Sequence, residues 1–255
     1  MWKQHDDGPP RIWVAGATGY TGKAVVARLR ELGWETHAHI RPESPSLESA
    51  APFFRELGAE IQEVAWEPEV LEARFKELKI SHVFALLGTT AKKGRAEKSR
   101  GNVVNYETVD YGLTIQLLDA AKASGTCGRF IYLSAVGVSE KSRSPYMSAR
   151  WKAEEDIRSS GVPYTIGRPC LITGSDREES RPMEDLGALL SKGVLGMAGL
   201  LGARGLKARY QTVDGTTLGR GLVHAGFAEK GLNQVVHTEE LVEMSSAPMD
   251  PNICD

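Results

Sequence analysis

Near the start of the chain, Gly16-Ala-Thr-Gly19-Tyr-Thr-Gly22 places a glycine at every third position. The segment follows a short apolar run, Arg11-Ile-Trp-Val-Ala15, and leads into Lys23-Ala-Val-Val-Ala-Arg-Leu-Arg-Glu-Leu32, whose apolar residues recur at helical spacing. A glycine turn between a strand and a helix is chemically suited to a pyrophosphate. Gly16 permits a tight turn, Gly19 lets the backbone approach a phosphate, and Gly22 lets the helix pack closely on the sheet. The helix N-terminus adds unpaired N–H groups and the positive end of its dipole. Gly16, Thr18, Gly19, Tyr20, Thr21 and Gly22 are therefore candidate contacts for a dinucleotide. The next strand ends in Ile40-Arg41-Pro42, with the nearest acid at Glu43. An NAD site usually carries an acid there to hold the ribose hydroxyls, whereas a guanidinium suits a 2′-phosphate. Arg41 thus favours NADP over NAD.

The elements that would position these residues alternate. Strands are expected at Arg11–Ala15, Trp34–Ile40, Ile61–Ala65, His82–Leu87, Arg129–Leu133, Tyr164–Gly167 and Val235–His237. Helices are expected at Lys23–Leu32, stopped by Gly33, and at Glu69–Leu78, Asn102–Ala123 and Tyr146–Ser159. Central strands that are apolar on both faces imply a parallel sheet covered by helices. The fold class expected is α/β, a Rossmann-type doubly wound parallel sheet. With no linker or repeat to divide it, the chain 1–255 reads as a single domain, with 170–215 as a lid or substrate-side elaboration.

Composition narrows the function classes. At 255 residues, 41% hydrophobic and 25% charged, the chain is an ordinary globular one and not a disordered or fibrous one. A net charge of −2 offers no global field for nucleic acid. The most apolar long stretch, Leu186–Leu206, is interrupted by Lys192, Arg204 and glycines, so no transmembrane segment is expected. Cys127, Cys170 and Cys254 are widely spaced, and neither they nor the six histidines form a ligand pattern, so no metal site is expected. Reduced thiols point to the cytoplasm or another reducing compartment, an organelle included.

Beyond the glycine turn, Leu87-Gly-Thr-Thr90, Val109-Asp-Tyr111, Leu133-Ser134, the segment from Tyr146, Gly167-Arg-Pro169 and Asp176-Arg-Glu-Glu-Ser-Arg-Pro182 form a recognisable series. With them the chain resembles the extended, atypical short-chain dehydrogenase/reductase superfamily. Within that it is similar to the NmrA-like group and most closely to the Tat-interacting-protein oxidoreductase family, over roughly residues 11 to 185. The resemblance implies a sheet of about seven strands and a bound NADP. It places Leu87, Gly88 and Thr89 beside the cofactor and brings Arg177 to the cofactor or a substrate.

The superfamily reduces carbonyls with a Tyr-xxx-Lys pair on a helix and a Ser one strand earlier, the phenol acting as general acid. Ser134 and Tyr146 match that pattern, but the fourth residue beyond Tyr146 is Arg150. On a helix, i+4 returns to within about 40° of the tyrosine, whereas i+6 lies about 240° around, so Lys152 faces away. The catalytic candidates are Ser134 to position the substrate, Tyr146 to donate the proton, and Arg150 to hold the ribose and tune the phenol. An oxidoreductase of a small carbonyl is one reading. A non-catalytic NADP-binding regulator or accessory subunit is the alternative, because an arginine cannot relay a proton as lysine does. Glycine totals 27 residues, above the ~7% typical of proteins. Five of these lie between Gly193 and Gly205, separated by apolar residues. That segment is expected to be a lid or, within 186–206, a surface for protein partners.

Overall fold

The computed structural model describes residues 9–89, 104–173 and 212–249. Seven strands form one parallel sheet: β1 (Arg11–Ala15), β2 (Glu35–Ile40), β3 (Glu60–Glu63), β4 (His82–Ala85), β5 (Arg129–Leu133), β6 (Tyr164–Arg168) and β9 (Gln234–His237). Their order is β3-β2-β1-β4-β5-β6-β9, and every neighbouring pair is parallel. A separate two-stranded parallel ribbon joins β7 (Ile172–Thr173) to β8 (Val213–Asp214). The helices are α1 (Tyr20–Glu31), α2 (Leu47–Glu56), α3 (Pro68–Leu78), α4 (Thr114–Ser124), α5 (Pro145–Ser159), α6 (Gly215–Phe227) and α7 (Thr238–Ser246). The expected Rossmann-type sheet is what the chain forms.

Strand periodicity explains why both faces are covered. Side chains alternate across a strand, so Ile12 and Val14 of β1 enter one core, and Trp13 and Ala15 enter the other. The first core is closed by α1, α2, α6 and α7 through Val25, Phe54, Leu222 and Leu241. The second is closed by α3, α4 and α5 through Phe75, Leu117 and Ile157. With oily residues on both faces, a strand reads as continuously apolar, as β1 and β5 do.

Helices α2, α6 and α7 and the β7–β8 ribbon go beyond the sequence expectation, and the Asn102 helix differs from it in kind. Helix α2 carries Pro52 internally and follows Ser44-Pro-Ser46, which reads as loop, yet Ala50, Ala51 and Phe54 bury against the sheet. Helix α6 holds Gly215, Gly219, Gly221 and Gly226, a composition that opposes helix formation by about 1 kcal/mol per glycine. Tertiary packing overrides that preference. A Cβ on Gly219 would lie 2.9 Å from the Ala24 backbone of α1, and one on Gly221 would lie 2.2 Å from Leu241 O of α7. The glycines let three helix backbones approach. Finally, the helix expected from Asn102 is, over Tyr106–Leu113, a π-helix capped by Asn105, and it becomes α-helical only at Thr114. Thr90, Arg177 and the Gly193–Gly205 cluster lie outside the described residues.

His37 and His39 share one face of β2, as strand alternation requires. His37 bonds Glu35 (3.0 Å) and Gln62 (3.1 Å), and His39 Nε2 donates to Val64 O (2.7 Å). Among the described residues, no group of three or more His, Cys, Asp or Glu is placed to share a metal ion. No helix among them is long and apolar enough to cross a membrane.

Burial holds the His39 pKa down at about 4, only partly opposed by its bond to Val64. The folded state therefore keeps His39 neutral while the unfolded chain takes a proton near pH 6.5. The stability tied to that difference is complete above pH 6.5 and is lost as pH falls towards 4. Urea denaturation at pH 7 and pH 4.5 should show a loss roughly 2 kcal/mol smaller in His39→Gln than in the wild type. Equal losses would contradict this assignment.

Candidate functional site

The site lies where the strand order reverses. From β1 the chain moves outward through β2 to β3, then returns to β4 on the other side of β1, leaving a crevice beyond the C-terminal ends of β1 and β4. The glycine turn rims one side. Gly16 has φ +79° and sits so close to β4 that a Cβ would lie 2.6 Å from Leu86 O. At Gly22 a Cβ would lie 2.1 Å from Gly16 O, so the turn closes only with glycine at both positions. Gly19 is exposed and begins α1 with no side-chain hydrogen bond as a cap. The first-turn N–H groups of α1 thus meet the crevice with no side chain competing for them. This cradle fits a pyrophosphate. Thr18 and Thr21 belong to the same turn, half-buried and buried respectively. Tyr20 is used differently: its hydroxyl donates to Thr173 O (3.1 Å) and accepts from Gly215 N (3.3 Å), fastening the turn to β7 and α6.

The opposite rim is Leu87-Gly88-Thr89, directly after β4. Leu87 and Thr89 are buried, while Gly88 between them is exposed. Arg41 stands exposed at the end of β2.

Helix α5 presents the remaining candidates on one stripe. Tyr146, Arg150, Glu154 and Arg158 recur every four residues and so share a face. Tyr146 is half-buried, its ring edge-on to Tyr106 at 5.3 Å. Beneath it, the Arg150 guanidinium lies 4.7 Å from the Tyr146 ring centroid. Arg150 is entirely buried. Its Nη2 donates to Asp110 Oδ1 (2.9 Å) and Leu87 O (3.4 Å); its Nη1 donates to Leu133 O and to Tyr132 Oη (3.4 Å). Only Nε lacks a hydrogen-bond partner. Burial opposes the charge, but Tyr146, Tyr132 and Asp110 more than offset it and hold the pKa above the ordinary arginine value. The cation is permanent. Lys152 faces outward and pairs with Glu107 at 2.8 Å.

Ser134 lies buried at the end of β5, and its hydroxyl donates to Glu154 Oε1 at 2.5 Å. Glu154 is wholly buried and also accepts from Arg168 and from Arg158 Nη2 (2.6 Å). Sequence reasoning singled out Ser134, Tyr146 and Arg150 but missed Asp110 and Glu154 as their partners. The eight-residue spacing from Tyr146 to Glu154, two four-residue steps along one helix face, was the available signal for Glu154. Asp110 lies in the Val109-Asp-Tyr111 segment of the resemblance, but its pairing with Arg150 depends on the π-helix, which spacing does not reveal.

Comparison with known proteins agrees with a nucleotide-binding fold. A family model described as NAD(P)H-binding matches residues 16–192. The protein is 31% identical over 134 residues to "Protein fmp52-1, mitochondrial" of Aspergillus terreus, covering 52% of this chain and 54% of that one. It is 28% identical over 173 residues to "Protein TIC 62, chloroplastic" of Pisum sativum, covering 62% and 32% respectively. The chain therefore spans about half or less of the length of these two relatives. Among solved structures it is similar to pinoresinol-lariciresinol and phenylcoumaran benzylic ether reductases, with TM-score 0.63 and 17% identity, covering 93% of this chain and 75% of that one. It is also similar to the binary complex of leucoanthocyanidin reductase with NADPH from Vitis vinifera, with TM-score 0.60 and 21% identity, covering 88% and 67%.

The buried Glu154 cluster makes a prediction of its own. Glu154→Gln removes the charge that two arginines need and should cost about 3–5 kcal/mol in urea denaturation. Ser134→Ala removes one hydrogen bond and should cost about 1–3 kcal/mol. A Glu154→Gln loss below that of Ser134→Ala would contradict the cluster's role.

Proposed function

The chain belongs to the NAD(P)H-binding family of Rossmann-type domains, with NmrA-like, atypical short-chain dehydrogenase/reductase character, and from that premise we propose that it is an NADPH-dependent reductase of a small carbonyl-type substrate. The observation that carries this reading is Tyr146, half-buried, with its ring 4.7 Å from a fixed cation that also bonds Leu87 O after β4. Bound in the crevice, NADPH supplies the hydride. Tyr146 gives its phenolic proton to the carbonyl oxygen, and the Arg150 charge stabilises the phenolate left behind. The α1 N-terminus and the exposed backbone at Gly19 hold the pyrophosphate, and the exposed backbone at Gly88 faces the nicotinamide half. Arg41 selects a 2′-phosphate by charge-assisted bonds. Arg177 and the 170–215 elaboration are proposed as the substrate side of a single domain. The mitochondrial and chloroplastic relatives support a reducing organellar compartment.

A specific observation favours a second reading. The Ser134 hydroxyl donates its hydrogen bond to Glu154, and the Arg150 Nη groups are used by protein acceptors, so neither is free to orient a substrate carbonyl. In that reading the nucleotide is bound as a structural or sensing ligand, and the protein works through partners.

One experiment separates them: NADPH and NADH binding by fluorescence titration, then NADPH oxidation against aromatic aldehydes and ortho-quinones. The reductase reading expects binding with a preference for NADPH, and a preference about 10- to 100-fold smaller in Arg41→Ala. It expects turnover that falls by at least about 100-fold in Tyr146→Phe. Binding without oxidation favours the second reading, and no binding of either nucleotide overturns both.

A further inference from the structure

The carboxylate of Asp110 is wholly buried in the π-helical turn and is fully used. Its Oδ1 accepts from Arg150 Nη2 (2.9 Å), and its Oδ2 accepts from the backbone N–H of Thr89 (2.9 Å). Arg150 in turn donates to Leu87 O at 3.4 Å. The backbone on both sides of exposed Gly88 is therefore held from below by one ion pair, Leu87 through the cation and Thr89 through the anion. The same cation underlies the Tyr146 ring. A buried carboxylate is tolerated only where such partners compensate it, so these bonds fix each other's geometry.

The π-helix matters to this placement. One extra residue per turn changes which side chains face inward at Asp110, and Asn105 sets its start by accepting from Thr108 N (2.9 Å). From Thr114 onward the helix is regular and packs in the second core through Leu117 and Ala121.

We propose that Asp110 is a positioning residue for the nicotinamide half of the dinucleotide, fixing the Leu87–Thr89 backbone in register with the Tyr146–Arg150 stack. The inference rests on the NADPH reading above and adds to it an assignment within the dinucleotide. In this assignment the adenine half depends on Arg41 and the Gly19 end of the glycine turn, and not on Asp110.

The test compares NADPH with 2′,5′-ADP, which carries the adenine half and its 2′-phosphate but no nicotinamide, by isothermal titration. In Asp110→Asn, NADPH affinity should fall about 10-fold, while 2′,5′-ADP affinity stays within about twofold of the wild type. Equal losses for both ligands, or no loss for either, would overturn the proposal, since a general loosening of the fold does not distinguish the two halves. Thr89→Pro removes the N–H donor, along with the hydroxyl and the freedom of φ at that position, and leaves both side chains of the Asp110–Arg150 pair in place. It should reproduce the same split, and unchanged NADPH binding in that variant would also overturn the proposal. Failure of the wild type to bind NADPH is a separate result, seen before any variant is made, and it refutes the underlying reading.

Discussion

A guanidinium with no solvent exposure, Arg150, is the constraint around which the C-terminal side of the sheet is arranged. Burying an unpaired charge is expensive, and removing one partner of a buried pair typically costs 3–5 kcal/mol. The fold meets that demand with acceptors from three separate places: Asp110 from the π-helix, Leu87 O after β4 and Leu133 O at the end of β5. Each acceptor must arrive at the correct depth. The register of α5 against the sheet, the π-helical turn and the relative ends of β4 and β5 are thereby tied to one another.

The α5 stripe links this constraint to function. Tyr146 stands at the mouth, Arg150 one turn below it, and Glu154 one turn deeper, where Ser134 and Arg168 close on it. Where a Tyr-xxx-Lys pattern would leave a mobile ammonium near a ribose, this helix carries a planar fork saturated by the protein. Arginine suits that setting because its donors are fixed in a plane and it stays charged when buried. The consequence is a Tyr146 ring stacked over a charge fixed by the protein.

Much of the fold was legible because strand alternation and helical spacing are local signals. Arg11–Ala15 and Arg129–Leu133 match expectation residue for residue, and Gly33 adopts the positive φ expected beyond a helix end. The glycine turn was equally legible, since only glycine tolerates the close backbone approaches at Gly16 and Gly22. What was not legible depends on tertiary packing. Helix α6 contradicts its own propensity because its glycines admit α1 and α7. Helix α2 tolerates Pro52 because Phe54 is buried. The partners of Ser134 and Arg150 come from residues 20 and 40 positions away in sequence, a relation no local pattern encodes. The excess of glycine itself has at least two causes, the nucleotide turn and the packing of α6.

The central claim is that the crevice between β1 and β4 receives NADPH with its nicotinamide against Tyr146. The most direct measurement is a crystal structure of the protein grown with NADPH. The account predicts pyrophosphate density at the α1 N-terminus by Gly19, and the nicotinamide ring between Gly88 and Tyr146, with Arg150 still beneath that tyrosine. A nucleotide bound elsewhere, or one whose nicotinamide is held away from Tyr146 by protein side chains, would contradict it.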